Sequence, residues 1–583
     1  MGSRNIVWMV LTLGLFGCGA PPSGQDETLG EVTQTLVLGD RGPEVRRLNT
    51  WFQNFGYMPN AELQKDYPAW RPIVDRRPAD MDAFDETTLN ALRHFQSKVN
   101  LEASGVFDAE TRQKMYTARC GVPDGIEQID PDAKFDLTTA HFTKWRWEFA
   151  DKTIMPWIGG NCGSNADCDG LDTQICGGQD CYDCVNSRCQ IPTGRTISDG
   201  DARDAVRSAL TTWTNTTNVS FTEVTSGGAD DGVMVVHWSD CSTGCGNLLA
   251  ATNFTKGIRF DPTKPWTTTG TNNNYDFQTV ALHEIGHGIG LNHSSLVPHP
   301  TMWPSPPGTG LAGQDRSVHL EDKFAADSLY KVWTTMPGAA RDIAAGGTVG
   351  NEVVWIVGNT ARTGGYNLFK WDGSSTWVMA TGPEGAIHIA VGPDRIPWIV
   401  SDNGTIYKRS GTLASSGSWS VIAGCAKDIG IGGDSSVWIV GCTAVTGGFG
   451  LYKWNGSNDW TASNNGSGVR ISVGPTGVPW VVNSSGTLNR RTTSSPLSGS
   501  WDSLGGGAKD VGVGFHGFAW KVSDTPATGG FSLYLRDEQP AGNTGVPVAS
   551  AVAKWVPFPG GGTDIASGAT GPWVVKSNHD IAQ

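Results

Sequence analysis

The sequence predicts a multidomain fold: a small all-α domain, then an α/β domain, then an all-β domain. Three observations carry this prediction. The chain has 583 residues, which is too long for a single domain. Apolar residues recur at helical spacing near the N-terminus, whereas the C-terminal half repeats short strands that contain tryptophan. Glycine, with 77 residues, and tryptophan, with 24, are both abundant, as expected for many short strands joined by tight turns.

Residues 1–18 are predicted to be a lipoprotein signal peptide. Arg4 precedes an apolar run of about eleven residues, which is too short to span a bilayer. The run ends in Leu15-Phe16-Gly17-Cys18, which resembles the bacterial lipobox, so cleavage would leave Cys18 lipidated. An ordinary signal peptide with an incidental cysteine is the alternative. Residues 19–35 are polar and are typical of a flexible linker. We therefore expect export, either with lipid anchoring to the bacterial cell envelope at the outer membrane or with secretion.

The 12 cysteines predict a disulfide-rich exported protein. Six of them fall within one insert, residues 160–190, and two further couples are close in sequence. These ten can form five disulfides, whereas Cys18 and Cys120 stand apart. A zinc cluster is the alternative for the insert, although no histidine intervenes there. The ten are Cys162, Cys168, Cys176, Cys181, Cys184, Cys189, Cys241, Cys245, Cys425 and Cys442.

Residues 36–118 predict a small helical domain. Pro43 is placed at the start of a first helix and Gly56 at its end, while Asp85 and Asp108 are predicted caps of two more. This pattern resembles the peptidoglycan-binding-like domain of bacterial wall enzymes and of matrix metalloproteinase propeptides. The resemblance implies either a grip on the cell wall or a role as a pro-domain.

The stretch LHEIGHGIGLNHSS, residues 282–295, predicts a metal site on a helix capped by Asp276. His283 and His287 are four residues apart, so both face the same side of the helix. Glu284 is turned roughly 100° away and can reach a water as general base without being a ligand. Gly290 permits a sharp turn that returns His293 as a third ligand. Three histidines leave one position open, as in catalytic zinc sites.

The full spacing, with Pro300-Thr301-Met302-Trp303-Pro304 after it, resembles the metzincin zinc proteases. Met302 would then lie beneath the zinc as an apolar floor, not as a ligand. Within that group the chain resembles the matrixin branch over residues 119–330, from TKWRW at 143–147 to the catalytic helix. The resemblance implies hydrolysis of peptide bonds within a chain by a zinc-activated water.

Residues 119–124, Arg-Cys-Gly-Val-Pro-Asp, are similar to the cysteine switch of matrix metalloproteinases. A thiolate is a strong zinc ligand and would displace the catalytic water, so Cys120 is expected to ligate zinc in the zymogen only. The resemblance implies that Arg119 and Asp124 pair to hold this loop. A disulfide cysteine in a linker is the alternative.

The chain departs from the animal matrixins where they hold a second, structural zinc. Between His141 and His283 only one histidine, His237, is present, and Arg259 stands where a family ligand is expected. The second zinc is therefore in doubt. Calcium binding through Asp230, Asp231 or Asp261 is an open alternative, although these residues form no defined ligand pattern.

Residues 331–583 contain a repeat with spacings of about 40 residues, which fits a six-bladed β-propeller of four short strands per blade. The strand WIV and its variants recur six times, a second tryptophan series closes each unit, and most of these tryptophans are expected in the core. The pattern resembles tectonin repeats, which implies binding of glycan or lipopolysaccharide. The two series are Trp355, Trp398, Trp438, Trp480, Trp520 and Trp573, and Trp333, Trp377, Trp419, Trp460, Trp501 and Trp555.

These features together predict an exported zinc-dependent endopeptidase, made as a zymogen and targeted to protein or peptide substrates by its propeller. One alternative is a surface glycan-binding protein with a vestigial protease domain, which an intact zinc motif disfavours. Another is a cell-wall hydrolase acting on peptidoglycan, suggested only by the helical domain. A net charge of −14 without basic runs argues against nucleic acid as a partner.

Overall fold

The computed structural model of the chain describes residues 35–583 apart from 68–69, 100, 125–143, 148–182, 186–187, 191–195, 229–231, 239–247, 254–256, 263, 271–273, 294–300, 307–308, 310–313, 349, 383, 458, 515–516, 538–553 and 569–570. Two compact units form, one from 35–49 with 78–115 and one from 50–77 with 116–583. None of the helices within these described residues is long and apolar enough to span a membrane.

Several sequence predictions fall outside the described residues. They are the signal peptide with Cys18, most of the linker, the calcium candidates Asp230 and Asp231, and six of the cysteines predicted to pair. The six are Cys162, Cys168, Cys176, Cys181, Cys241 and Cys245.

The N-terminal region is helical, as predicted, and its helices are α1 (Pro43–Asn54), α2 (Ala61–Asp66), α3 (Glu86–Lys98) and α4 (Ala109–Met115). The Asp85 carboxylate accepts hydrogen bonds from the first amides of α3, and the Asp108 carboxylate accepts one from the Thr111 amide. Both predicted caps are therefore confirmed. The short helix α2, which begins at the Asn60 cap, was not predicted, because six residues carry little periodicity.

The middle region of the chain, residues 144–330, is an α/β structure. Its elements are β1 (Lys144–Trp147), β2 (Asp183–Val185), β3 (Arg188–Gln190), α5 (Asp199–Thr216), β4 (Thr222–Glu223), β5 (Val233–Trp238), β6 (Ala250–Asn253), β7 (Gly257–Phe260), β8 (Trp266–Thr267), β9 (Tyr275–Asp276), α6 (Phe277–Gly288) and α7 (Leu320–Tyr330). The sheet has the order β4-β1-β5-β7-β6, and only the edge strand β6 is antiparallel to its neighbour.

Strand β5 is buried along its whole length, as expected for a central strand covered on both faces. Helices α5 and α6 pack together, and the Trp213 indole of α5 donates to the Leu282 carbonyl of α6 at 2.8 Å. Strands β2 and β3 pair with Cys184 opposite Cys189, in the insert. This core fixes α6, the helix that carries the metal motif.

The C-terminal region consists of antiparallel sheets. Its strands are β10 (Thr335–Gly346), β11 (Val353–Arg362), β12 (Gly365–Trp371), β13 (Trp377–Met379), β14 (His388–Val391), β15 (Pro397–Val400), β16 (Ile406–Arg409), β17 (Trp419–Ile422), β18 (Ala426–Ile431), β19 (Val437–Val445), β20 (Gly448–Trp454), β21 (Trp460–Ala462), β22 (Arg470–Val473), β23 (Pro479–Val482), β24 (Leu488–Arg491), β25 (Trp501–Ser503), β26 (Ala508–Val513), β27 (Ala519–Ala527), β28 (Gly530–Asp537), β29 (Lys554–Gly562), β30 (Asp564–Ser567), β31 (Pro572–Val575) and β32 (Asp580–Ala582).

These strands form four sheets of four strands each and one sheet of seven. In the seven-stranded sheet, β10 pairs with β11 through its second half and with β32, the last strand of the chain, through its first half. The first strands of successive sheets contact one another in sequence order, and β30 contacts β10. The predicted disulfide between Cys425 and Cys442 is present, with a Cα–Cα distance of 5.6 Å, and it joins the residue before β18 to strand β19.

Both tryptophan series have structural roles. The six in the WIV strands are at most 6% exposed, which confirms their prediction as core. The six of the second series are half-buried, and each donates its indole N–H to a backbone carbonyl 36 or more residues away in the sequence. The acceptors, for Trp333, Trp377, Trp419, Trp460, Trp501 and Trp555 in turn, are Pro559, Pro337, Thr381, Ala423, Asn465 and Leu504.

Six strands each carry one ionisable side chain at an equivalent position, and we call these six side chains the first-strand ring; the strands are β10, β14, β18, β22, β26 and β30. Each of the four carboxylates in the ring accepts a hydrogen bond from a backbone amide of the next of these strands, at 2.6–3.3 Å. The ring therefore ties neighbouring sheets together. Its members are Asp342, His388, Asp428, Arg470, Asp510 and Asp564.

Candidate metal centre and active site

Helix α6 presents His283 and His287 on one face, as the four-residue spacing predicts. Asp276 caps this helix, since its carboxylate accepts the Thr279 amide at 2.9 Å. The Nε2 atoms of His283 and His287 lie 3.1 Å apart, and both side chains are almost fully buried. Two ring nitrogens brought this close in a buried place indicate a shared electrophile between them.

The other ring nitrogens fix which atoms are free to ligate. The His283 Nδ1 donates to the Thr301 carbonyl at 2.8 Å, and the His287 Nδ1 donates to the Leu291 carbonyl at 2.7 Å. In each ring the Nε2 lone pair is therefore left facing the other histidine, which is the second-sphere arrangement that metal-ligating histidines use.

His293 joins them through the turn that follows α6. Gly290 has a φ of +96°, a conformation that favours glycine, so the predicted reason for this residue is confirmed. The His293 ring centroid lies 5.3 Å from that of His283 and 4.8 Å from that of His287. Its Nδ1 lies 3.1 Å from the Asp124 carboxylate.

Cys120 completes a group of four. One donor atom from each of Cys120, His283, His287 and His293 lies within 4.8 Å of every other, and the Cys120 Sγ is 3.5 Å from the His287 Nε2. Three imidazoles and one thiol form a donor set that zinc takes in tetrahedral geometry. The residues present therefore fit zinc.

Burial controls the charge of this group. Burial, and then the neighbouring His293, lower the pKa of His283 to about 3, and burial with His283 lowers the pKa of His287 well below its ordinary value. Burial, and then Glu284, raise the pKa of the Cys120 thiol well above its ordinary value. His283 and His287 are thus held neutral, as ligands must be, whereas a thiolate here requires a cation beside it.

The loop that carries Cys120 lies along edge strand β6. The Gly121 amide donates to the Ala250 carbonyl at 2.9 Å, the Leu249 amide donates to the Arg119 carbonyl at 3.0 Å, and the Cys120 amide donates to the Pro304 carbonyl at 2.7 Å. A Cβ on Gly121 would lie 2.9 Å from Ala251, so a larger residue would push this loop off the strand. The loop thus occupies an edge that an extended peptide could otherwise use.

Arg119 and Asp124 form the predicted pair. Two guanidinium nitrogens of Arg119 donate hydrogen bonds to the two carboxylate oxygens of Asp124, at 3.2 and 3.0 Å, and both side chains are buried. The guanidinium also lies over the Phe55 ring, 4.7 Å from its centroid. The Asp124 carbonyl accepts the Trp70 indole N–H at 3.0 Å, so residues from 50–77 hold both ends of the loop.

Glu284 is fully buried beside the histidines. Its carboxylate oxygen Oε2 accepts the Thr252 hydroxyl at 2.6 Å. Burial raises the pKa of Glu284 to about 7, against the lowering effect of the Thr252 and Cys120 contacts. A carboxyl group with this pKa is poised to take and return a proton near neutral pH.

Met302 packs against α6 between the two histidine positions. A Cβ on Gly286 would lie only 2.2 Å from the Met302 Sδ, so glycine is required there for this contact. The Met302 amide donates to the buried Asp322 carboxylate of α7 at 3.3 Å. These contacts agree with the predicted apolar floor, and they add a support from α7 that carries no sequence motif.

A cavity opens beside the histidines. It is bordered by His283, Glu284 and Cys120, and its walls include Leu249, Val280 and Trp303. Asp315, which pairs with His319 at 2.5 Å, also borders it. The apolar part of this wall is suited to an apolar side chain of a bound peptide.

The group of Cys120 and three histidines is the one metal-type cluster that the described part of the chain contains. His237 is buried and its Nδ1 lies 3.1 Å from the Trp238 carbonyl, while Arg259 faces Ala251 across β6 and β7. Asp261 is buried near Lys264, at 3.7 Å. Calcium and a second zinc therefore gain no support here.

The sequence did not reveal the roles of Thr252, Trp70 and Asp322, because isolated residues that are distant in the chain form no motif.

Comparison with known proteins agrees with this geometry. Residues 188–331 match the family described as matrixin, and residues 41–115 match a peptidoglycan binding domain. Metalloendoproteinase 1 of Glycine max is 28% identical over 298 residues, which cover 48% of this chain and 81% of that protein.

Animal relatives match over a smaller share of their length. Matrix metalloproteinase-19 of Homo sapiens is 27% identical over 216 residues, covering 36% of this chain and 34% of that protein. Interstitial collagenase of Oryctolagus cuniculus is 27% identical over 250 residues, covering 41% and 42%. A solved structure titled "YCF48 bound to D1 peptide" aligns at 13% identity with a TM-score of 0.28, which is too low to support a shared fold. The chain therefore carries a metalloendopeptidase domain of the matrixin type, and a peptidoglycan-binding-type domain precedes it.

Proposed function

We propose that the chain is an exported zinc-dependent endopeptidase that is made in an inhibited form, with Cys120 as its internal inhibitor. The observation that carries this proposal is the placement of the Cys120 thiol among His283, His287 and His293, all within 4.8 Å. In this proposal the three histidines hold zinc permanently, and Cys120 occupies the fourth position until the loop is removed.

In the active form, Glu284 is the general base. When bound, zinc supplies a Lewis acid that polarises the scissile carbonyl and lowers the pKa of water. Glu284 takes the proton of the attacking water and passes it to the leaving amine, a role supported by its burial and its pKa of about 7. The freed edge of β6 would pair with the substrate backbone, and the cavity beside His283 would take one of its side chains.

The buried pair of Arg119 and Asp124 supports inhibition by the intact loop. It closes a short turn around Cys120, and both ends of that turn are anchored, to Pro304 and β6 on one side and to Phe55 and Trp70 on the other. The thiol is thereby held at high effective concentration over the histidines. Cleavage after Asp124 would release it.

The test is the rate at which uncut full-length protein cleaves a quenched fluorescent peptide. Wild type should be nearly inactive, whereas Cys120→Ser should be active without processing, because a neutral hydroxyl is a far poorer zinc ligand than a thiolate. The matched control is Cys120→Ser with Glu284→Gln, which should be inactive again. Equal rates for uncut wild type and Cys120→Ser, with both masses intact, would refute the switch.

For the C-terminal region we propose a closed six-bladed propeller of the tectonin type that directs the protease to glycan or lipopolysaccharide. The pairing of β10 with both β11 and β32 supports closure, and so does the series of six indole hydrogen bonds. A glycan array with the full-length Glu284→Gln protein would test the targeting role. Absence of binding to any glycan or lipopolysaccharide would remove it.

Peptidoglycan is a second candidate substrate or anchor, favoured by the match of residues 41–115. A casein assay beside a peptidoglycan release assay separates the two activities. We also propose lipid anchoring at Cys18 and five disulfides, with thiol counting after the chain is exported as the check. Incorporation of labelled fatty acid that Cys18→Ser abolishes would support the anchor, and incorporation unchanged by Cys18→Ser would contradict it.

A further inference from the structure

We propose that Thr252 is a positioning residue that holds the carboxylate of Glu284 in its working orientation. The inference rests on the proposed function, because it assigns a partner to the proposed general base. Thr252 lies on β6 and is 2% exposed, and Glu284 is fully buried. The hydroxyl of Thr252 is 2.6 Å from the Glu284 Oε2 and 2.9 Å from the backbone carbonyl oxygen of the same residue.

The Thr252 hydroxyl lies close to both the side chain and the backbone of Glu284. A hydroxyl has one proton, and the shorter distance to the charged oxygen indicates that the carboxylate receives it, as the stronger of the two bonds. Rotation of the Glu284 side chain would break that bond inside a buried site, where an unpaired carboxylate oxygen is costly. The hydroxyl therefore selects one rotamer of Glu284.

The hydroxyl is itself held firmly. Thr252 pairs with Ile258 in the antiparallel ladder of β6 and β7. Its backbone carbonyl also accepts the Tyr67 hydroxyl at 3.1 Å, in the same compact unit. A functional side chain supported by an ordered neighbour on a strand keeps its geometry more closely than one left to a flexible loop.

The hydrogen bond from Thr252 to the Glu284 Oε2 leaves the other carboxylate oxygen, Oε1, available to act as the base. In the described part of the chain, no hydrogen bond of acceptable geometry reaches the Glu284 Oε1, and Glu284 borders the cavity together with Cys120 and His283. With Oε2 held by Thr252, Oε1 is the oxygen left to accept a proton from a water bound in the site. Thr252 thus sets which oxygen works, without touching substrate or metal itself.

The test compares Thr252→Val, which removes the hydroxyl and keeps the shape, with Thr252→Ser, which keeps the hydroxyl. Both are placed in the Cys120→Ser chain and measured on the quenched peptide. Thr252→Val should lower kcat by about 10-fold or more with KM within about 2-fold, while Thr252→Ser should stay within about 3-fold of its parent. The zinc content per chain should be equal in all three. The matched control is Thr267→Val, another buried threonine, which should leave kcat unchanged.

A second readout needs neither zinc nor activity. In metal-free full-length protein, Thr252→Val, Glu284→Ala and the double variant form a stability cycle in denaturant. If the contact exists, the double variant should lose less than the sum of the single losses. Should Thr252→Val fail to fold, Thr252→Ala takes its place in both measurements.

The outcomes separate the two claims. A Thr252→Val protein with unchanged kcat, or with a change in KM or zinc content alone, would overturn the positioning role, and so would an additive cycle. An inactive Cys120→Ser parent would instead overturn the proposed function, while a non-additive cycle would still support the contact between Thr252 and Glu284.

Discussion

Two clusters of buried ionisable side chains lie in the same compact unit, and they are built on opposite principles. In the first-strand ring, each carboxylate accepts a backbone amide of the neighbouring strand, and Arg470 lies 2.9 Å from His388 and 3.8 Å from Asp510. In the metal centre, the Nε2 atoms of His283 and His287 face each other at 3.1 Å with their lone pairs directed inward. The polar atoms of the ring bond to one another and to neighbouring strands, whereas the metal centre directs its donor atoms at a bound ion. Burial alone therefore does not identify a functional site; the direction of the lone pairs does.

Removal of one carboxylate from each cluster should have very different effects on activity. Glu284→Gln should lower peptide cleavage by about 10²–10⁴-fold with zinc retained, because the general base is lost. Asp428→Asn, in the ring, should keep activity within about 2-fold. Both variants are made in the Cys120→Ser chain and assayed on the same peptide. Comparable losses from the two would mean that the ring takes part in catalysis.

The ring should be more sensitive to loss of its permanent cation. Arg470→Met leaves buried carboxylates without that charge, and we expect a loss of about 2 kcal/mol in the free energy of unfolding, at the low end because Arg470 is about a third exposed. Denaturant titration followed by tryptophan fluorescence measures it. The control is Lys427→Met, an exposed cation nearby, with an expected change of under about 0.5 kcal/mol. A loss no larger than this control would show that the ring does not depend on Arg470.

Stability of the C-terminal region should also depend on pH through Asp564. Burial, and then Asp342 and Asp510, raise the pKa of Asp564 well above its ordinary value, and burial raises that of Asp510 to about 6. Since the folded state binds the proton more tightly than the unfolded state, this carboxyl group favours folding at low pH and opposes it as pH rises through the folded pKa. Asp564→Asn mimics the neutral acid, so its gain in Tm over wild type should grow from about pH 5 to pH 8. A gain that stays flat across this range would contradict the shift.

The smallest effect is expected at the indole hydrogen bonds. Trp460 donates to the Ala423 carbonyl at 2.6 Å, and Trp460→Phe removes that donor while keeping the ring in place. We expect a loss of about 1 kcal/mol, measured by denaturant titration. Unchanged stability would mean that ring packing, not the hydrogen bond, makes the contribution.

The sequence predicted the metal centre better than its surroundings. His283, His287, His293 and Cys120 were found because metal ligation demands particular residue types at fixed spacing, and Gly290 because a turn demands a positive φ. The caps Asp85, Asp108 and Asp276 were found for the same local reason. Thr252 and Asp322 were not, because each acts through a single contact across the fold. The first-strand ring was equally hidden: its members stand in a visible repeat, but three different residue types occupy the equivalent positions.

Helix α7 has a consequence for exchanging parts between proteins of this kind. Its Ala326 packs in the core of the catalytic region, while Phe324, two residues earlier, packs against Phe518 and Trp520 of the C-terminal sheets. The same helix holds Met302 through Asp322. If the protease domain were fused after this helix to a different C-terminal domain, Phe324 would lose its contacts with Phe518 and Trp520. The new C-terminal domain would need to supply equivalent aromatic side chains. We therefore expect the protease domain and the C-terminal domain to coevolve at these three aromatic positions.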